Sequence, residues 1–204
     1  MKIAKYVGIA FLVLIVGFVI LVALQPSKFH IERTAVVNAP ADAVFPLINN
    51  FQEWSKWSPY EKLDPNLQRT FTGPESGPGA SYAWSGNDQA GAGMMTIMES
   101  KPNELVSIKL EFSKPFEMVS QATFTLVPSG ETTRVTWAMD GENNFVCKAF
   151  SLFMNMDQMV GKDFEVGLAN LNTAAQAEVK KSDTKESDTK ESDKPADMKE
   201  KNRE

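Results

Sequence analysis

A change of hydrophobic period along the chain most restricts what it can fold into. Between residues 29 and 140 apolar residues recur every second position; beyond 150 they recur every third or fourth. The first pattern is that of half-buried strands and the second that of a helix with one apolar face. Phe29, Ile31, Arg33, Ala35 and Val37 alternate with polar neighbours. Val106, Ile108, Leu110 and Phe112 alternate with Ser107, Lys109 and Glu111, and Val135, Trp137 and Met139 repeat the pattern. Strands are expected near 29–37, 68–73, 80–86, 92–100, 104–113, 118–128 and 132–140. Gly73-Pro74, Gly77-Pro78-Gly79, Pro102-Asn103, Ser129-Gly130 and Asp140-Gly141 break the runs. After Asn38-Ala39-Pro40, helical spacing of Val44, Phe45, Leu47, Ile48 and Phe51 predicts a helix that Pro40 can start. Phe150, Phe153, Val160, Phe164, Leu168 and Leu171 share one helical face at the other end. Asp157 is a candidate cap within that region, and Gly161 and Gly167 weaken it as one unbroken helix. Turn-length connections make the sheet an antiparallel meander, and the long helix has to lie across it. The expected architecture is α+β: a helix-grip fold, with a curved antiparallel sheet wrapped on a long C-terminal helix and leaving a cavity between them.

Both ends differ in kind from this middle. Residues 6–24 carry no charge. As a helix they span about 28 Å, close to the hydrocarbon thickness of a bilayer. Lys2 and Lys5 precede the run, and Gln25-Pro26-Ser27 ends it. A cleaved signal peptide has a shorter apolar region and a small-residue cleavage site, and Ala23-Leu24-Gln25 is a poor one. The expectation is a retained transmembrane anchor over residues 1–27, preceding a domain over 28–177. Lys2, Lys5 and the terminal amine outnumber Lys28 and Arg33 by one positive charge. That margin favours a cytoplasmic N-terminus, placing the domain outside the cytoplasm of a bacterial inner membrane. At the other end, Ser182-Asp183-Thr184-Lys185-Glu186 repeats at once as Ser187-Asp188-Thr189-Lys190-Glu191. Residues 178–204 hold almost no large apolar side chains, so a disordered charged tail is expected there.

Composition excludes several classes. One cysteine, Cys147, cannot make an internal disulfide, and with a single histidine, His30, it supports no His/Cys zinc site. A net charge of −5 argues against nucleic acid as a partner. The chain carries no phosphate-binding glycine loop, zinc-protease helix or nucleophile elbow.

Four segments resemble the polyketide cyclase/dehydrase-like SRPBCC proteins of the START and birch-pollen-allergen-like superfamily. They are Trp54-Ser55-Lys56-Trp57-Ser58-Pro59-Tyr60 with Asp64-Pro65, Gly79 through Asn87, Gly91 through Met95, and Met156 through Leu168. The resemblance covers roughly 29–173. It implies the helix-grip fold and leaves function open, since the superfamily includes lipid carriers, hormone receptors, co-chaperones and cyclases.

The domain's tryptophans and tyrosines, with most of the ten methionines, suit a pocket for a hydrophobic guest with few polar groups. Each one singly is as well explained as core filling. The residues expected to line the pocket are Trp57, Tyr60, Tyr82, Trp84, Met94, Phe112, Phe116, Trp137, Met139, Phe153 and Phe164. Catalysis lacks a constellation. His30 belongs to the strand face opposite Phe29, Cys147 reads as a small apolar helix residue, and Asp163 and Glu165 read as a solvated helix face. No catalytic residue, metal or cofactor is expected. The expected partners are a hydrophobic small molecule or lipid and, through residues 6–24, a membrane. A cyclase or dehydratase and an envelope protein-interaction module are the alternatives.

Overall fold

The computed structural model describes residues 2–192. Helix α1 (Lys2–Ala23) leads into strand β1 (Lys28–Val37) and helix α2 (Ala41–Asn49). Six further strands follow: β2 (Gln68–Thr72), β3 (Ser81–Ser85), β4 (Ala92–Lys101), β5 (Leu105–Lys114), β6 (Met118–Ser129) and β7 (Thr132–Glu142). Helices α3 (Phe145–Ser151) and α4 (Met156–Ser192) end the described chain. Every neighbouring pair in the sheet is antiparallel, in the order β1-β7-β6-β5-β4-β3-β2. The fold is the helix grip that the period change demands.

Alternation sets which side chains meet the helices. Ile31 and Val37 on β1, Val135 and Trp137 on β7, Phe124 and Leu126 on β6, and Val106 and Ile108 on β5 all point into the core. His30 lies on the other face of β1, exposed, with Nδ1 2.7 Å from an Asp140 carboxylate oxygen. That hydrogen bond raises its pKa above the ordinary imidazole value. Helix α2 buries Val44, Leu47 and Ile48 on one side, with Pro40 at its N-cap position.

Three details differ from the sequence expectation. Asp157 does not cap the last helix; the Asn155 side-chain oxygen accepts the Gln158 backbone N–H at 3.1 Å. Asp157 instead accepts two hydrogen bonds from the Arg33 guanidinium at 3.1 Å each, and Glu165 accepts a third from Arg33 Nε at 3.0 Å. The guanidinium lowers the Asp157 pKa. Helix α4 also runs unbroken past Gly161 and Gly167. A Cβ at these positions would meet Arg33 Nη2 and the Trp137 ring, so the glycines let β1 and β7 approach the helix.

Lastly, α4 continues through residues 178–192, where composition predicts disorder. Val179 packs against the core, and Glu178 pairs with Lys56 at 3.1 Å and Lys181 at 3.0 Å. Extending a helix already held by packing avoids the cost of nucleating a new one. The rest of the expected tail lies outside the described residues.

Candidate functional site

The concave face of the sheet has two halves of different character. In the first, α4 and the 3-10 turn at Phe51–Lys56 press an aromatic block onto β6 and β7. Trp137 stacks on Phe164 with ring centres 4.0 Å apart and planes 9° off parallel. Phe124 lies 4.9 Å from Trp137, and Trp57 lies 5.6 Å from it, edge-on. Trp54 and Trp57 donate their indole N–H groups to the Ile48 and Leu47 carbonyls at 3.0 and 2.8 Å. Rings fill the space that the sequence reading left for a cavity. Trp57, Trp137 and Phe164, three of the expected pocket residues, are core here.

In the second half several inner-face side chains are only partly buried, which leaves a shallow apolar trough. Strand register sets Met118 opposite Phe112, Phe112 opposite Gly93, and Gly93 opposite Trp84. This row crosses four strands on the inner face. Met118, Phe112 and Trp84 are half-buried, as are Phe29, Tyr60, Leu110 and Val160 around them, and all pack against the edge of the core. The parallel row places Ser120, Leu110, Met95 and Tyr82 side by side. Met139 is buried at the border between the halves. A cleft of about 470 Å³ opens at the Met118 end, lined by Glu117, Val119, Glu142, Asn143 and Asn144 as well.

Polar groups are sparse in this interior and placed. Glu61 lies on the 3-10 turn Pro59–Lys62, its side chain only 8% exposed. It accepts the Tyr82 hydroxyl at 2.6 Å and Arg69 Nε at 2.7 Å. The three residues fasten the turn to β2 and β3. Burial, and then the Glu61 hydrogen bond, push the Tyr82 phenol pKa far up, so it stays a donor at neutral pH. Changing Tyr82→Phe leaves the carboxylate short of one donor and is expected to destabilise the fold by about 1.5–3 kcal/mol, read from urea melts. Trp84 donates its indole N–H to the Ala90 carbonyl at 2.9 Å. Asp64 accepts the Asn66 and Asn87 backbone N–H groups at 2.8 and 2.7 Å, which holds the loop after β3 beside the trough.

Three buried side-chain polar atoms among the described residues have no hydrogen-bond partner: Ser58 Oγ, Ser120 Oγ and Trp137 Nε1. Natural interiors leave few such atoms unsatisfied. Ser120 Oγ lies close to Gly141, as does the Phe29 ring. Tyr60 stands edge-on to Trp137 at 6.3 Å. Its phenol pKa is raised by burial and then by Asp163, and burial raises the Asp163 carboxyl pKa in turn. Among the described residues no cluster of three or more His, Cys, Asp or Glu side chains is arranged to hold a metal.

Tyr60, Tyr82, Trp84, Phe112 and Met139 therefore share the open half or its border. Met94, Phe116 and Phe153 do not. Met94 is exposed on the convex face, and Met95 takes the inward position, because Gly93, Met95 and Ile97 alternate inward along β4. Phe116 sits exposed in the β5–β6 turn, and Phe153 is 78% exposed between α3 and α4. Phe29, Glu61, Leu110, Met118, Ser120 and Val160 are absent from the sequence-based set. The strand alternation of Phe29, Leu110 and Phe112 carried the signal for two of them. Nothing local marks Ser120 or Glu61.

The fold recurs in solved structures. The Zhui aromatase/cyclase from Streptomyces sp. R1128 superposes with a TM-score of 0.55 at 14% identity, covering 74% of this chain and 96% of that one. A protein from Thermobifida fusca gives 0.54 at 20% identity, covering 72% and 92%. The Aha1 dimer from Colwellia psychrerythraea gives 0.53 at 15%, covering 72% and 96%. At such identities the likeness is one of fold alone. No curated protein sequence matches the chain. A family model does match, over residues 28–176, which is the whole sheet and most of α4. The chain belongs to the SRPBCC family described as polyketide cyclase / dehydrase and lipid transport.

Proposed function

We propose that this protein is a membrane-anchored START-like domain that binds a lipid or other hydrophobic small molecule in the trough between α4 and β3–β6. One observation carries the reading. The inner-face row Met118, Phe112, Gly93 and Trp84 is a half-exposed apolar floor next to an unpartnered buried hydroxyl, Ser120 Oγ. Such a surface favours an apolar guest with one polar group. The family description, which includes lipid transport, agrees with it. Helix α1 supplies the anchor: Ala4–Ala23 is long and apolar enough to cross a membrane. The N-terminal lysines orient the domain away from the cytoplasm. A short linker then holds the trough near its lipid source, raising the effective concentration of a membrane ligand.

The test compares the detergent-solubilised full chain with Met118→Glu by native mass spectrometry and solvent extraction. A discrete compound bound to the wild type and lost from a folded Met118→Glu variant is the expected result. A compound retained equally by both, or by neither, overturns the trough as its site. A bound compound chemically altered from the lipid supplied would move the reading to a cyclase or dehydratase, with Tyr60 and Asp163 as the groups to mutate first.

A further inference from the structure

The segment joining β7 to α4 is unusual for a surface. Phe145, Phe150, Phe153, Met154 and Met159 are 54, 49, 78, 45 and 46% exposed. Phe116, 45% exposed, extends the patch from the β5–β6 turn, its ring centre 6.3 Å from that of Phe150. The segment's two charges are turned to other work. Lys148 Nζ bonds Ser27 Oγ at 2.9 Å, and Asp157 is held by Arg33. An apolar segment whose own two charges are both engaged marks an interaction site rather than a solvated face.

Its place in the fold names the partner. Helix α1 packs against α3, and Val22 in the last turn of α1 is completely buried. The linker after α1 is pinned to the same segment. The Asn143 backbone N–H donates to the Ser27 carbonyl at 2.8 Å, and its side chain donates to the Pro26 carbonyl at 3.2 Å. Val22 belongs to the apolar run that would cross the membrane. Whatever packs beside it lies at the depth of the run's last turn, at the boundary between acyl chains and headgroups.

We infer that residues 145–159, with Phe116, form an apolar apron that inserts into the interfacial layer of the bilayer that α1 crosses. The inference rests on the reading of α1 as a retained span. Interfacial segments of this kind bury an apolar face about 5–10 Å into the headgroup region. Rings at Phe150 and Phe153 have the length to do so, while Lys148 and Asp157 stay on the protein side. Inserted, the apron brings the Met118 end of the trough to the lipid surface.

The experiment uses the full chain in nanodiscs of phosphatidylethanolamine and phosphatidylglycerol. In a Cys147→Ala background, single spin labels are placed through Phe153→Cys, Val13→Cys within α1, and Glu131→Cys in the β6–β7 turn. Relaxation by oxygen is compared with relaxation by a water-soluble nickel chelate. Oxygen is expected to dominate at positions 13 and 153, and the chelate at 131. An aqueous signal at 153 with a lipid signal at 13 overturns the apron and leaves the anchor standing. An aqueous signal at 13 overturns both. Inaccessibility of 153 to either reagent assigns the patch to a protein partner or a second copy, and so overturns the lipid assignment. As a second measurement, Phe150→Asp with Phe153→Asp is expected to speed amide exchange over 145–159 in nanodiscs and to leave the sheet unchanged. No change at 145–159 counts against insertion.

Discussion

Replacing Trp137 by Ala is expected to cost about 3–5 kcal/mol, the range for truncating a fully buried large aromatic. In a domain of this size that is a fall of roughly 6–20 °C in melting temperature. The reason lies in what the ring touches. It is 3% exposed, stacked on Phe164 at 4.0 Å, and in contact with Phe124 and Trp57. Its removal opens a void bounded by rings held on β6, α4 and a 3-10 turn, which cannot all collapse into it. The indole N–H has no partner, so truncation strands no acceptor and the loss is one of packing. Phe153→Ala, at a side chain 78% exposed, should shift stability by less than about 0.5 kcal/mol in detergent. Thermal melts of the two variants side by side check both values. A loss below about 1 kcal/mol for Trp137→Ala would show the aromatic block to be loosely packed.

Gly93→Val should also destabilise the fold, by less than Trp137→Ala, and it strikes the trough directly. A Cβ on Gly93 would lie within 2.5 Å of the Trp84 ring. Against the Glu111 carbonyl oxygen it would be closer still. The first neighbour can swing away, into the space assigned to ligand. The second is backbone in the β4–β5 ladder and moves only if the strands part. Overpacking of this kind costs about 1–3 kcal/mol, and the position sits at a register shift that already thins the pairing. Chemical denaturation should show the stability loss, and mass spectrometry should show depleted ligand in the fraction that remains folded. Normal ligand loading in a destabilised Gly93→Val protein would move the binding site away from Trp84.

The strands were legible in the sequence because alternation is a two-residue signal and the turns were punctuated by glycine, proline and asparagine. Expected bounds such as 104–113 and 118–128 lie within a residue of β5 and β6. Facing was less secure where the ladder shifts. Met94 and Met95 are adjacent and equally apolar, so composition does not say which of them takes the inward place that strand alternation gives to only one. The final helical region misled for another reason. Helical periodicity joins Phe150 and Phe153 to Phe164 and Leu168, as though one helix carried them. The chain breaks between Ser151 and Met156, so the first two rings leave the core and the last two fill it. The trough's polar contacts were illegible altogether. Tyr82 finds Glu61, and Asp64 finds the loop after β3, through spatial neighbours that sequence spacing does not encode.

The length of α4 bears on more than the grip. Its 37 residues make a rod of about 55 Å. Arg33, midway along β1, meets Asp157, and the backbone N–H of Asn38, just past its end, meets the Asn172 side chain. The rod therefore points the same way as β1, away from α1. From Lys180 onward its described side chains are exposed, and the helix carries the Ser-Asp-Thr-Lys-Glu repeat past the last strand as a mast. Tension on the mast would be felt first by the Lys56–Glu178 pair and Val179, then by the Asn38–Asn172 contact, and last by the Arg33 clasp. One helix therefore ties the Arg33 clasp at its start to the Lys56–Glu178 pair two-thirds of the way along it.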